Sequence, residues 1–154
     1  TPKPSSAASD VYKRQGIAEL VFGMKQKDVE AVYGKPDRQY KDDDNNIIYL
    51  YNDNYMRLTF YEDEDMKLGY IIGSHPELEL FDNKLIGRDT KTVQEEILAK
   101  GIKDWETETF DTVDNVFNES NWLILQSEFG KIIRVEVGAI INDKDEFDWK
   151  FKSK

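Results

Sequence analysis

A short motif returns in this chain at a constant offset of 64 residues, and a chain that repeats itself has two similar faces to bury in one core. Phe22-Gly23-Met24 precedes Val29, Val32 and Tyr33, the i, i+3, i+4 spacing of an amphipathic helix, and Gly34-Lys35-Pro36-Asp37 then stops it. Ile86-Gly87 precedes Val93, Ile97 and Leu98, and Gly101 follows. Phe22 aligns with Ile86, Gly23 with Gly87 and Val29 with Val93. The pattern predicts a first helix of about ten residues and a second about one turn longer. Asp89 falls where a side chain can cap free N–H groups, whereas its counterpart Lys25 cannot, so the first helix should start less firmly.

Strand-like runs follow each helix: Ile47 to Tyr51, Tyr55 to Tyr61 and Lys67 to Gly73, then Glu106 to Asp111, Trp122 to Glu128 and Ile132 to Val137. Asn52-Asp53-Asn54, Glu62 to Met66 and Phe129-Gly130-Lys131 read as turns between them. The predicted fold class is α+β, with residues 16–73 and 85–138 each a helix plus a three-stranded meander. Residues 74–84 link the two. Pairing the two sheets edge to edge hides two open edges and gives six antiparallel strands with both helices on one face. Alternation then turns Ile48, Leu50, Met56, Leu58, Phe60, Leu123, Leu125, Ile133, Val135 and Val137 toward the helices. Tyr49, Tyr51, Tyr55, Arg57, Tyr61, Trp122, Ile124, Arg134 and Glu136 fall on the opposite face. In residues 139–154, Phe147, Trp149 and Phe151 alternate with polar residues as a further amphipathic strand covering a sheet edge.

Phe22-Gly23-Met24, Val29 and Gly34-x-Pro36 resemble the opening of the repeat in the outer-membrane assembly lipoprotein BamE and in tandem β-lactamase-inhibitor-like (BLIP-like) proteins, and bacterial immunity-type proteins look similar. The resemblance spans about residues 17–138. It implies a BLIP-like fold and the binding or inhibition of another protein through the open sheet face. It carries no catalytic residue across.

Composition sets the classes of function still open. With 31 acidic against 21 basic residues, the net charge is −10, and acidic residues cluster at Asp42 to Asp44, Glu62 to Asp65 and Asp143 to Glu146. Such a surface repels nucleic acid and favours a basic protein partner. No run is long enough for membrane insertion. The absence of cysteine excludes disulfides, thiolate metal sites and cysteine nucleophiles. The one histidine, His75, lies in Gly73-Ser74-His75-Pro76, which is turn chemistry. Residues 1–15 lack periodicity and read as a disordered tail that resembles a translated adaptor remnant. The chain reads as a bacterial cytoplasmic protein, with export or a periplasmic location left open by a native N-terminus that can lie upstream.

An enzyme needs convergent groups with tuned pKa values. The pairs Glu62 and Glu64, or Glu77 and Glu79, could do glycosidase-like acid and base work, but both stand at turn or linker positions where solvated carboxylates are the default. The runs Asp42 to Asn46 and Asn142 to Glu146 lack the ligand spacing of a calcium loop. No catalytic residue, metal or cofactor is therefore assigned. The expected function is a non-enzymatic protein-binding domain of immunity or inhibitor type that occludes a secreted toxin or enzyme through the aromatic sheet face. An envelope assembly or scaffolding module is the alternative.

Overall fold

In the computed structural model, residues 11–14, 20–80, 83–141, 144–147 and 149 are described. Strands β1 (Val11–Arg14) and β2 (Leu20–Val21) lead into α1 (Gln26–Tyr33), and β3 (Arg38–Lys41), β4 (Ile47–Tyr51), β5 (Met56–Tyr61) and β6 (Lys67–Gly73) follow. Then come β7 (Leu78–Leu80), β8 (Asn83–Lys84), α2 (Thr90–Leu98), β9 (Glu106–Phe110), β10 (Val113–Asn118), β11 (Leu123–Glu128) and β12 (Lys131–Gly138). An eight-stranded antiparallel sheet runs β3-β4-β5-β6-β12-β11-β10-β9, and a small second sheet runs β2-β1-β7-β8.

This corrects the expected α+β fold of two helix-plus-three-stranded units. The described chain is mostly β, with helices of only 8 and 9 residues, and its main sheet has eight strands rather than six. The two extra strands, β3 and β10, are rich in polar residues and leave no apolar alternation to read. The stretch expected to be a linker carries β7 and β8, and Val11–Arg14, expected in a disordered tail, pairs with both β2 and β7. The second helix exceeds the first by one residue, not by a turn.

The core lies between the main sheet and the layer made by α1, α2 and the small sheet. Val29 of α1 and Val93 and Ile97 of α2 are fully buried, in one cluster with Leu58, Ile71, Leu80, Leu125 and Val135. Each such side chain contributes roughly 1.5–3 kcal/mol on leaving water. The helix starts differ as the caps predict: Asp89 accepts from Thr92 N–H at 3.0 Å, while no side chain at Lys25 caps α1. There the carboxylate of Asp28 accepts from the Lys25 backbone N–H instead, at 2.9 Å.

The expected phase of β4 is wrong by one residue. Tyr49 and Tyr51 are 1% and 4% exposed and face α1, so neither belongs to an open face. The Tyr49 hydroxyl donates to Glu30 at 2.5 Å and the Tyr51 hydroxyl to the Gly34 carbonyl at 2.8 Å, which ties the sheet to the middle and the C-terminal end of α1. Burial and the Glu30 carboxylate push the Tyr49 pKa up to about 12. Ile48 and Leu50 consequently lie on the opposite face. Ile133 also leaves its expected place: pairing passes from Gln126 with Arg134 to Ser127 with Ile132, so Ile133 is the extra residue of a bulge and is 40% exposed.

Candidate binding face

The face of the main sheet turned away from α1 and α2 is continuous across all eight strands. By register, Arg38, Leu50, Arg57, Ile72, Glu136, Ile124, Phe117 and Glu106 form one row on it. Of the sequence candidates, Arg57, Tyr61, Trp122, Ile124, Arg134 and Glu136 are on this face, with Tyr55 at its margin in a turn. The face is divided by charge. The β3 to β6 side contributes Arg38, Arg57 and Lys67, and the β9 to β12 side contributes Glu106, Glu108 and Glu136, with Arg134 near the seam.

Two hairpin turns organise the face. β4 and β5 are joined by residues 52–55, and β10 and β11 by residues 119–122. The last residue of each turn is a large aromatic at positive φ: Tyr55 at 47° and Trp122 at 43°. Their backbones are bonded alike. Tyr55 N–H donates to Asn52 O and its carbonyl accepts from Ser74 N–H, while Trp122 N–H donates to Glu119 O and its carbonyl accepts from Gly138 N–H. Side chains at positive φ crowd their own backbone, so such positions usually hold Gly or Asn. Yet Tyr55 stays 59% exposed and Trp122 43% exposed.

Below each aromatic is a depression. The one beside Trp122 has a volume of about 590 Å³ and is lined by Tyr61, Tyr70, Gly138, Ile141 and Phe147. Its floor depends on two glycines. A Cβ on Gly138 would lie 2.3 Å from Trp122 Cδ1, and one on Gly69 would lie 2.1 Å from Tyr61 Cε2, so the two rings lie against bare backbone. Tyr70 donates to Glu136 at 2.6 Å, and burial together with that carboxylate holds its hydroxyl protonated well above the ordinary tyrosine range. Burial also raises the Tyr61 hydroxyl. Both remain neutral hydrogen-bonding groups on a mostly apolar wall.

The depression beside Tyr55 measures about 420 Å³ and has a different lining: Leu50, Arg57, Ile72, Ser74 and Arg134. Where the Trp122 turn meets Gly138, the Tyr55 turn meets Ser74, and the Tyr55 ring lies beside His75 with centroids 5.5 Å apart. The His75 Nδ1 accepts from the Glu77 N–H at 3.0 Å, within its own turn.

Among the described C-terminal residues, Phe147 and Trp149 lie against side chains of this face. Phe147 packs beside Tyr61 at 5.6 Å and stacks on Trp149 at 4.9 Å, and Trp149 Nε1 donates to Glu64 at 3.3 Å. Phe151 lies outside the described residues. Sequence reasoning missed Tyr70, Gly138 and Phe147 as parts of the cleft. The available signal was Gly138 ending the alternation of Arg134, Val135, Glu136 and Val137 in β12, since a glycine in a strand marks a close approach.

The carboxylate pairs do not converge on either depression. Glu62 and Glu64 occupy an exposed turn, and Glu77 pairs with Lys84 at 3.3 Å. Asp42 spends its carboxylate on the N–H groups of Asp44 and Asn46 in its own turn. Among the described residues no group of three or more His, Cys, Asp or Glu is placed to hold a metal. Asn142 and Asp143 lie outside the described residues.

No family model and no curated protein matches the sequence. Among solved structures the fold is similar to that of an extracellular protein containing an SCP domain from Bacillus anthracis str. Ames, at 12% identity and a TM-score of 0.51. The match covers 75% of this chain and 43% of that protein, so the chain spans less than half of its length. This likeness, together with the eight-stranded sheet, replaces the BLIP-like architecture expected from the sequence. Among the described residues no helix is long and apolar enough to cross a membrane.

Proposed function

We propose that the chain is a non-enzymatic protein-binding module whose open sheet face seats an apolar side chain of a protein partner in the cleft beside Trp122. The observation that carries this reading is Trp122 itself. It is a large aromatic at positive φ, 43% exposed, held close against Gly138 beside a mostly apolar cleft of about 590 Å³. Tryptophan, tyrosine and arginine dominate interface hot spots, and all three surround these depressions. The acidity of the whole chain steers a basic partner toward it, while the arginines on the face tolerate acidic groups at closer range.

An immunity-type or inhibitor-type protein would occlude an enzyme or toxin; an accessory or scaffolding module would hold its partner without blocking it. The likeness to part of a longer extracellular protein supports the accessory reading, and supports an exported location over a cytoplasmic one.

The test starts from partners captured on the immobilised chain and identified by mass spectrometry, then titrated by calorimetry. Trp122→Ala should weaken the complex by about 2 kcal/mol or more. Glu95→Ala, on the exposed side of α2, should leave it unchanged. Equal affinity of wild type and W122A, or loss with E95A alone, refutes the open face as the binding surface.

A further inference from the structure

We infer that the depression beside Tyr55 is a subsite for the C-terminal carboxylate of a peptide or protein whose last side chain is apolar. The inference rests on reading the open face as a binding surface and names the chemistry at its second depression. Arg57 and Arg134 both line that depression, on strands separated by β6, and Leu50 and Ile72 supply the apolar part of the wall. In a chain with 31 acidic residues, a surface arginine readily finds a carboxylate, yet neither arginine forms an ion pair among the described residues. Asp42 lies within electrostatic reach of Arg57 but is bonded into its own turn, and Glu136 is held by Tyr70 on the side of the aromatic cleft.

Two guanidinium groups flanking an apolar depression match a carboxylate that has a hydrocarbon group one carbon away. A chain terminus has that arrangement, since its carboxylate and its last side chain share one Cα. Aspartate and glutamate side chains carry only one or two methylenes beside theirs, not a bulky apolar group. The carboxylate accepts charge-assisted hydrogen bonds from the arginines, and the last side chain rests against Ile72 and Leu50 under the Tyr55 ring. The backbone of Tyr55 supplies an independent indication. The residue stands at φ 47°, an uncommon conformation for tyrosine, and keeps its ring 59% exposed beside the depression.

The probe is N-acetyl-leucine, titrated into the ¹⁵N-labelled chain by NMR beside N-acetyl-leucinamide and succinate. The acid should shift the amides of Arg57, Ile72 and Arg134, and the amide analogue should bind about tenfold more weakly or worse, as loss of a charged hydrogen-bond acceptor requires. Arg57→Gln and Arg134→Gln should each weaken the acid about fivefold or more while the remaining spectrum is preserved; both side chains are exposed, so the fold should survive. Glu95→Ala, on the exposed side of α2, should leave the probe's affinity unchanged. Equal shifts from acid and amide, or from acid and succinate, overturn the assignment, as does binding that E95A abolishes. Because the probe is a small molecule, its failure leaves the partner test at Trp122 standing.

Discussion

Gly138→Ala is the sharpest perturbation of the aromatic cleft. The added Cβ would lie 2.3 Å from Trp122 Cδ1, 3.0 Å from its Nε1 and 3.0 Å from Tyr70 Cδ1. Ordinary carbon contacts sit near 3.5–4.0 Å, so the indole must move by about an ångström or more. Overpacking of this kind costs about 1–3 kcal/mol, and replacing a glycine in a strand returns about 0.4–1 kcal/mol through the unfolded chain. G138A should therefore lose about 0.5–2 kcal/mol in chemical denaturation. In a Trp122→Ala background the main obstacle is gone, and the same substitution should be neutral or slightly stabilising. The double-mutant cycle isolates the contact, and the tryptophan emission of G138A should shift to the red as the ring leaves the sheet. Equal cost in both backgrounds would refute the claim that Trp122 lies close against Gly138.

Tyr51→Phe removes the donor to the Gly34 carbonyl and should cost about 1 kcal/mol, whereas Tyr51→Ala opens a core cavity and should cost about 3–5 kcal/mol, both by denaturant titration. The phenol of Tyr49 ionises near 12 in the folded chain against 10.0 for the free group, so the stability it supplies is intact below pH 10 and is lost as pH rises toward 12. In Tyr49→Phe the alkaline decline in melting midpoint over that window should be shallower. At α2, the Thr92 backbone and hydroxyl hold the Asp89 carboxyl below its ordinary pKa, so its contribution is present above about pH 4 and fades as pH falls further. Asp89→Ala should lower the melting midpoint at neutral pH more than Lys25→Ala, and the difference should close in acid.

The two helices were legible because each carries an apolar stripe that three-dimensional packing uses directly: Val29 in α1, Val93 and Ile97 in α2. The cap of α2 was legible because a single residue type decides it. The phase of β4 was not, since Ile47-Ile48-Tyr49-Leu50-Tyr51 is apolar at every position and alternation has nothing to select. What selects the phase is the reach of two hydroxyls to Glu30 and Gly34, a tertiary fact. Ile133 misled for another reason, because a bulge moves the buried position to Ile132 and no local residue type announces it. The edge strands β3 and β9 are exposed along their whole length and polar, which protects the sheet from pairing with other chains; in β3 this also removes the apolar signal of a strand, whereas Glu106 to Asp111 still reads as one. The arginine depression escaped notice because Arg57 and Arg134 are brought together by the β6 to β12 pairing, a contact between distant parts of the sequence.

The aromatic residues on the open face are poorly explained as sheet stabilisers. Aromatic side chains steady a sheet by packing across from a neighbouring strand at an ordinary β conformation. Tyr61 and Tyr70 fit that description, and Phe117 meets Trp122 edge on at 5.2 Å. Tyr55 and Trp122 do not, because each ends a four-residue turn at positive φ, where asparagine or glycine would cost about 1 kcal/mol less. Asn121 and Asn54 stand one position earlier in the two turns, so the residue type suited to that conformation is adjacent and unused for it. Each turn places an exposed ring beside a depression of different chemistry, an arrangement that would let one surface hold a partner at two points. A partner that fills the Trp122 cleft with an apolar side chain and presents a carboxylate to Arg57 and Arg134 would use both turns at once. Two weak contacts fixed on one rigid sheet reinforce each other, since the second forms without a further loss of translational freedom.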